Sequence, residues 1–89
     1  MAAYFQKNLR LLTRKYFKKR GTDYNLEILS LKCGIPKIKL ELWFREGEPV
    51  LAEIKKIADF FTSELKHEIL ANDLINRDLT TDPYFYDII

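Results

Sequence analysis

The 89-residue chain is short of the residues from which catalytic and metal sites are built. It has one cysteine, Cys33, and one histidine, His67. A lone thiol excludes an internal disulfide framework, and the two residues together are too few for a zinc site. Three glycines and three prolines leave no glycine-rich phosphate loop. No Ser-His-Asp set or other nucleophile motif occurs, so nothing in the sequence points to an enzyme, a metal or a cofactor. No apolar run is long enough to span a bilayer, which argues against a membrane partner. Charges from Lys7 onward break up any secretory pattern, and a cytoplasmic protein is expected. Cys33 reads as a small buried apolar residue, and His67, in a charged stretch, as a surface residue.

Acidic residues are missing from one region altogether. Residues 1–22 contain Lys7, Arg10, Arg14, Lys15, Lys18, Lys19 and Arg20 and no Asp or Glu. The net charge of +2 therefore hides a gradient: residues 1–22 carry +7, residues 23–70 carry −2 and residues 71–89 carry −3. One end of the chain can attract a polyanion while the other repels it.

What is present is helical periodicity. Phe5, Leu9, Leu12 and Tyr16 make one apolar stripe, which predicts a first helix from about Ala3 to Lys18. Lys7, Arg10, Arg14 and Lys18 follow a similar rhythm on another face, as a solvated surface or as a strip of phosphate contacts. Gly21 breaks this helix, and Thr22, Asp23 or Asn25 can cap the next. Val50, Ile54, Ile57 and Phe61, widened by Leu51 and Ala58, predict a fourth helix from about Pro49 to Phe61. Thr62 or Ser63 can cap a fifth, running through Leu65, Ile69, Leu70 and Leu74 to about Asn76. Asp82-Pro83 reads as a turn in the remaining tail.

The stretch Asn25 to Gly47 organises the rest. Leu26, Leu29 and Cys33 recur at helical spacing, and Leu40, Trp43 and Phe44 do so again. Gly34 can take the left-handed conformation that ends the second helix, and Pro36 suits the first turn of the third. Two helices joined by a tight turn, the second presented outward and ending near Phe44 or Arg45, match the plan of a DNA-reading helix-turn-helix. Arg45-Glu46-Gly47-Glu48 reads as the loop that follows.

The ordered set Leu29, Gly34-Ile35-Pro36, Leu40, Trp43, Gly47, Pro49, Ile54, Ile57-Ala58 and Phe61 resembles the phage-repressor and Cro-like (XRE-type) helix-turn-helix family. The resemblance covers about Phe5 to Leu70. It implies an all-α, compact five-helix bundle over residues 1–76, with 77–89 as a short aromatic tail. It also implies a transcriptional regulator, repressor-like, that binds double-stranded DNA as a homodimer. The third helix would lie in the major groove, with Pro36, Lys37, Ile38 and Lys39 nearest the bases and Leu42 one turn further on. Lys37 or Lys39 can donate to guanine or phosphate, and Ile38 can pack on a thymine methyl. Arg10, Arg14, Lys18, Lys19 and Arg20 would supply phosphate contacts. Ser30 stands where the family usually has alanine, and Leu26 where a phosphate-contacting polar residue is common.

A protein-interaction module on the same scaffold, an antirepressor or antitoxin-like regulator, is the alternative, because fold does not settle function. An apolar third helix, with Ile38, Leu42 and Phe44 outward, and an aromatic tail would suit a protein partner. The tail residues Leu79, Tyr84, Phe85, Tyr86, Ile88 and Ile89 are too apolar for a solvated end, so they should pack in cis against helices 1 and 5 or across a dimer.

The expected core is Phe5, Leu9, Leu12, Leu29, Leu40, Trp43, Ile54, Ile57, Ala58, Phe61 and Leu65. Replacing Ile57 with Ala is expected to cost about 2–5 kcal/mol, read as a lower denaturation midpoint at unchanged slope. An unchanged midpoint would place Ile57 outside the core.

Overall fold

The structure is a computed structural model and describes residues 4–46 and 49–88. Among these residues there are five α-helices and no strand: α1 (Phe5–Arg20), α2 (Leu26–Cys33), α3 (Lys37–Arg45), α4 (Leu51–Leu65) and α5 (Ala71–Asn76). Two 3₁₀ turns, Leu79–Thr81 and Pro83–Phe85, follow. The expected all-α five-helix bundle is what the chain forms. Ala3, Gly47, Glu48 and Ile89, which figured in the expected first helix, loop and tail, lie outside the described residues.

The bundle closes around α1. Its stripe of Phe5, Leu9, Leu12 and Tyr16 is buried, and Leu11 and Phe17 widen it. Phe5 meets Trp43 of α3 edge-on at 5.8 Å between ring centres, and Tyr16 meets Phe61 of α4 at 6.3 Å. Such edge-to-face pairs set the positive rim of one ring against the negative face of the other. All eleven residues of the expected core are buried.

The turn between α2 and α3 forms for the reason the sequence suggests. Gly34 sits at φ +75°, where a side chain would be strained, and its N–H donates to the Ser30 carbonyl. Asn25 caps α2, its Oδ1 accepting from the N–H groups of Glu27 and Ile28. The Ser30 hydroxyl donates to the Ile35 carbonyl at 2.6 Å, and Lys56 Nζ of α4 donates to the Gly34 carbonyl at 3.0 Å. Ser30 thus ties down the turn. Leu26 is half-buried against the core.

Three expectations need correction. Thr62 and Ser63 do not begin a helix, since α4 runs on to Leu65 and ends at Lys66, at φ +53°. The Thr62 hydroxyl instead accepts from the Ile69 N–H at 2.9 Å and donates to the Ile69 carbonyl at 3.1 Å. That clasp folds the chain back, so α5 is only six residues long and Leu70 is exposed in front of it. Val50 and Leu51 do not extend the α4 stripe. Val50 is the extended residue before the helix, and the two are 61% and 69% exposed. His67 is not a free surface residue. It stacks on Tyr84 at 4.0 Å, and its Nε2 lies 3.2 Å from an Asp82 carboxylate oxygen.

The tail packs in cis. Leu79 and Phe85 are buried, Tyr84 and Ile88 are half-buried, and Tyr86 is exposed. Asp78 and Asp82 cap the two 3₁₀ turns by accepting from the N–H groups of Thr80 and Tyr84. Its anchor is Asn8, a fully buried polar side chain on the apolar stripe of α1. Asn8 Nδ2 donates to the carbonyls of Leu74 at 3.0 Å and Arg77 at 2.7 Å, and Oδ1 accepts from the Leu79 N–H at 3.0 Å. One amide satisfies the end of α5 and the start of the tail together.

Asn8→Ala should therefore do more than remove a small side chain. It strands the buried Leu74 carbonyl and Leu79 N–H, each costing about 1–3 kcal/mol when left unpaired, and frees the part-buried Arg77 carbonyl, which water can reach. The expected result is a loss of stability larger than that of Thr13→Ala on the same helix, together with faster hydrogen exchange at the Leu79 amide. Unchanged protection at Leu79 would refute the anchoring role.

Candidate nucleic-acid interface

The outward face of α3 is set by how its inward face is held. Leu40 and Trp43 are buried, so Lys37, Ile38, Glu41, Leu42 and Arg45 turn away from the core. Ile38 is 69% exposed, and Leu42, one turn on, lies beside it. Pro36 is exposed at the head of the helix, where its lost N–H is no cost. Arg45 continues the Ile38–Leu42 line by a further turn, a residue that the sequence pattern did not single out. Phe44, expected to be exposed, instead turns back and packs against the core.

The two lysines of α3 are not bare charges. Lys37 Nζ lies 3.2 Å from a Glu27 carboxylate oxygen and 3.9 Å from one on Glu41. Lys39 pairs with Glu53 in the first turn of α4. These are exposed pairs of low individual worth, which leaves the ammonium groups exchangeable. They hold the side chains at the N-terminal end of α3.

On α1 the structure sorts the basic residues into two sets. Lys7 pairs with Asp78 at 3.0 Å, while Lys15 at 2.8 Å and Lys18 at 3.0 Å share Asp87. Lys15 Nζ also donates to the Tyr84 carbonyl and sits 4.4 Å from the centre of its ring. Lys19 donates to the Glu64 carbonyl and Arg20 to the Tyr16 hydroxyl. The cluster Lys18, Lys19 and Arg20 therefore points toward the tail, α4 and its own helix, not toward α3. The sequence could not show this, because the acids that claim Lys15 and Lys18 lie some seventy residues away.

Arg10 and Arg14 form the second set. Arg10 donates to the Phe44 carbonyl at 2.9 Å, a backbone group that also accepts from Gln6. Among the described residues no carboxylate pairs with either arginine. With Tyr24 and Phe44 they line a surface groove of about 300 Å³. Tyr24 stands edge-on to Phe44 at 6.1 Å and tilted against Phe17 at 5.7 Å. Burial pushes the Tyr24 phenol above its usual pKa, and the nearby Arg10 charge offsets part of that rise. Tyr24 carried no periodic signal in the sequence, because it falls in the connector between α1 and α2.

The interface thus has two basic ends. Lys37 and Lys39 stand at the start of α3, and Arg10 and Arg14 at its finish. The helix itself is nine residues, about 13 Å, long. Between the two ends run Ile38 and Leu42. Among the described residues no group of His, Cys, Asp and Glu could hold a metal. Cys33 is buried, and burial raises its thiol pKa, the opposite of a reactive cysteine. No described helix is long and apolar enough to cross a membrane. Comparison with protein-family models, curated proteins and solved structures finds no match to the chain.

The tail clasp on α1 gives a pH signature. Hydrogen bonds from Lys15 and then Lys18 hold the Asp87 carboxyl at about 2, below its ordinary 3.8. Bonds from the Thr80 hydroxyl and Lys7 lower Asp78, and the Tyr84 N–H and then His67 lower Asp82. A depressed carboxylate stabilises the fold above its unfolded pKa and loses that effect as pH falls toward the folded value. Stability should therefore be flat near neutrality and fall between about pH 4 and 2 as the tail loosens. Asp87→Asn should flatten part of that acid limb when denaturation midpoints are measured against pH. An acid limb of the same depth in the variant would show that the clasp contributes nothing.

Proposed function

We propose that the protein is a DNA-binding transcriptional regulator of the repressor-like helix-turn-helix kind, reading the major groove of duplex DNA with α3. The observation that carries this reading is the α2–α3 unit itself. A left-handed Gly34 closes the turn, Leu40 and Trp43 anchor α3, and Lys37, Ile38, Leu42 and Arg45 face outward. The charge placement supports it: a basic group stands at each end of an outward helix about 13 Å long. Phosphates on either side of a groove would be met by Arg10 and Arg14 at one end and by Lys39 at the other. Ile38 and Leu42 would contact thymine methyls, and Lys37 or Arg45 a guanine edge. On DNA, the Glu27 and Glu53 partners of Lys37 and Lys39 would be exchanged for phosphate or base acceptors.

This reading carries with it a cytoplasmic protein acting on DNA and a homodimer, whose two copies of α3 would sit about 34–36 Å apart on successive turns of the groove. A second reading rests on one specific observation. The centre of the outward face is apolar, with Ile38 69% exposed beside Leu42, and both neighbouring lysines are already held by carboxylates. That face would also fit an apolar groove on a protein partner.

Selection from random duplexes followed by salt titration separates the two. DNA binding predicts an enriched sequence and a linear fall of log affinity with log salt. Arg14→Ala should reduce that slope by about one unit with no change in the enriched site, whereas Ile38→Ala should relax preference at one position. Lys19→Ala should change neither. Selection without enrichment, at an affinity indifferent to salt, would refute the DNA reading.

A further inference from the structure

The groove beside α1 has properties that phosphate contacts do not require. Arg10 and Arg14 stand one helical turn apart, so two guanidinium groups crowd each other on one face. Every other basic residue of α1 has an acceptor within the chain: Lys7 on Asp78, Lys15 and Lys18 on Asp87, Lys19 on the Glu64 carbonyl, Arg20 on the Tyr16 hydroxyl. Among the described residues Arg10 has only the Phe44 carbonyl, which spends a small part of its donor fork. The other wall of the groove is aromatic. Tyr24 is 51% exposed although its ring has two aromatic neighbours, Phe17 and Phe44. The groove volume of about 300 Å³ lies at the small end of ligand sites.

We propose that this groove is a binding site for a small planar aromatic carboxylate. The chemistry follows from the lining. A guanidinium fork pairs with a carboxylate through two parallel hydrogen bonds, and an anion there also relieves the repulsion between Arg10 and Arg14. A flat ring attached to that carboxylate lies against Tyr24 and the rim of Phe44, where an aliphatic chain would gain less. The position matters as much as the chemistry. Tyr24 immediately precedes Asn25, the cap of α2, and Phe44 belongs to the last turn of α3. A ligand in the groove therefore touches both ends of the helix-turn-helix from the α1 side. It would also take up the two guanidinium groups that the DNA reading gives to phosphates, a consequence that rests on that reading; the site itself does not.

The test is an NMR titration of the full chain, with no DNA present, so that its failure is distinct from a failure of DNA binding. The probe is indole-3-acetate, and the controls are its neutral amide and cyclohexanecarboxylate. The expected result is a saturable shift of the Arg10 and Arg14 Nε–H signals and of the Tyr24 ring. The neutral amide and the non-aromatic acid should bind more weakly. Arg14→Gln should weaken indole-3-acetate by about tenfold or more, the scale of one lost charge-assisted hydrogen bond. The Trp43 signals should stay in place, since Arg14 is exposed and outside the core. Tyr24→Leu should abolish the preference for the aromatic acid over cyclohexanecarboxylate. The proposal falls if the probe shifts none of these signals, if the neutral amide binds equally, or if Arg14→Gln leaves affinity unchanged.

Discussion

The fold depends on one amide. Asn8 lies among Phe5, Leu9 and Leu12 on the face of α1 that the rest of the bundle covers, where an unpaired polar group would be costly. It is tolerated because its two ends find backbone partners in a segment that otherwise has too few. α5 is six residues long, and a helix that short leaves most of its terminal carbonyls without intrahelical donors. Asn8 Nδ2 reaches the carbonyls of Leu74 and Arg77, and Oδ1 takes the N–H of Leu79. The closing of the end of α5, the reversal after it and the seating of the tail on α1 thus share one anchor.

From that anchor the surface charges acquire their division of labour. Once the tail lies along α1, Asp78 and Asp87 fall beside Lys7, Lys15 and Lys18, and the basic strip splits. The lysines on the tail side become structural, while Arg10 and Arg14, on the side of Tyr24 and Phe44, stay available. The charge gradient along the sequence is therefore partly cancelled in space, three of the seven basic residues of α1 being paired with two acids. Arg10 and Arg14 keep their charge where α1 meets the end of α3, next to the outward face of the helix-turn-helix.

How much of this was legible follows from the range of each interaction. The turn at Gly34, a cap for α2 among Thr22, Asp23 and Asn25, the core face of α1, the buried pair Leu40 and Trp43 of α3 and the stripe of α4 from Ile54 to Phe61 are written in residues a few positions apart, and the structure bears them out, with Asn25 as the cap. Thr62 misled because a threonine before an acidic residue looks like a helix start. Its hydroxyl was committed to Ile69, seven residues ahead. His67 read as exposed because its stacking partner, Tyr84, arrives from the tail. Asn8 drew no reading at all, and Lys18 looked like a free cation, because their partners lie about seventy residues on. The groove at Tyr24 was hidden for the same reason: it exists only where three segments, each unremarkable alone, come together.

The long span between Asn8 and its partners also has a meaning in time. A ribosome makes α1 before residues 74–79, so the Asn8 amide has no protein partner while α2, α3 and α4 emerge and is paired only by water. The apolar side of α1 around it can be fully covered without penalty only once the carbonyls of Leu74 and Arg77 and the N–H of Leu79 arrive. Contacts of such sequence separation form only after a large loop has closed. The helix-turn-helix, whose own bonds are local, can take shape early in synthesis, but the bundle that steadies it is completed only after residues 74–79 have left the ribosome.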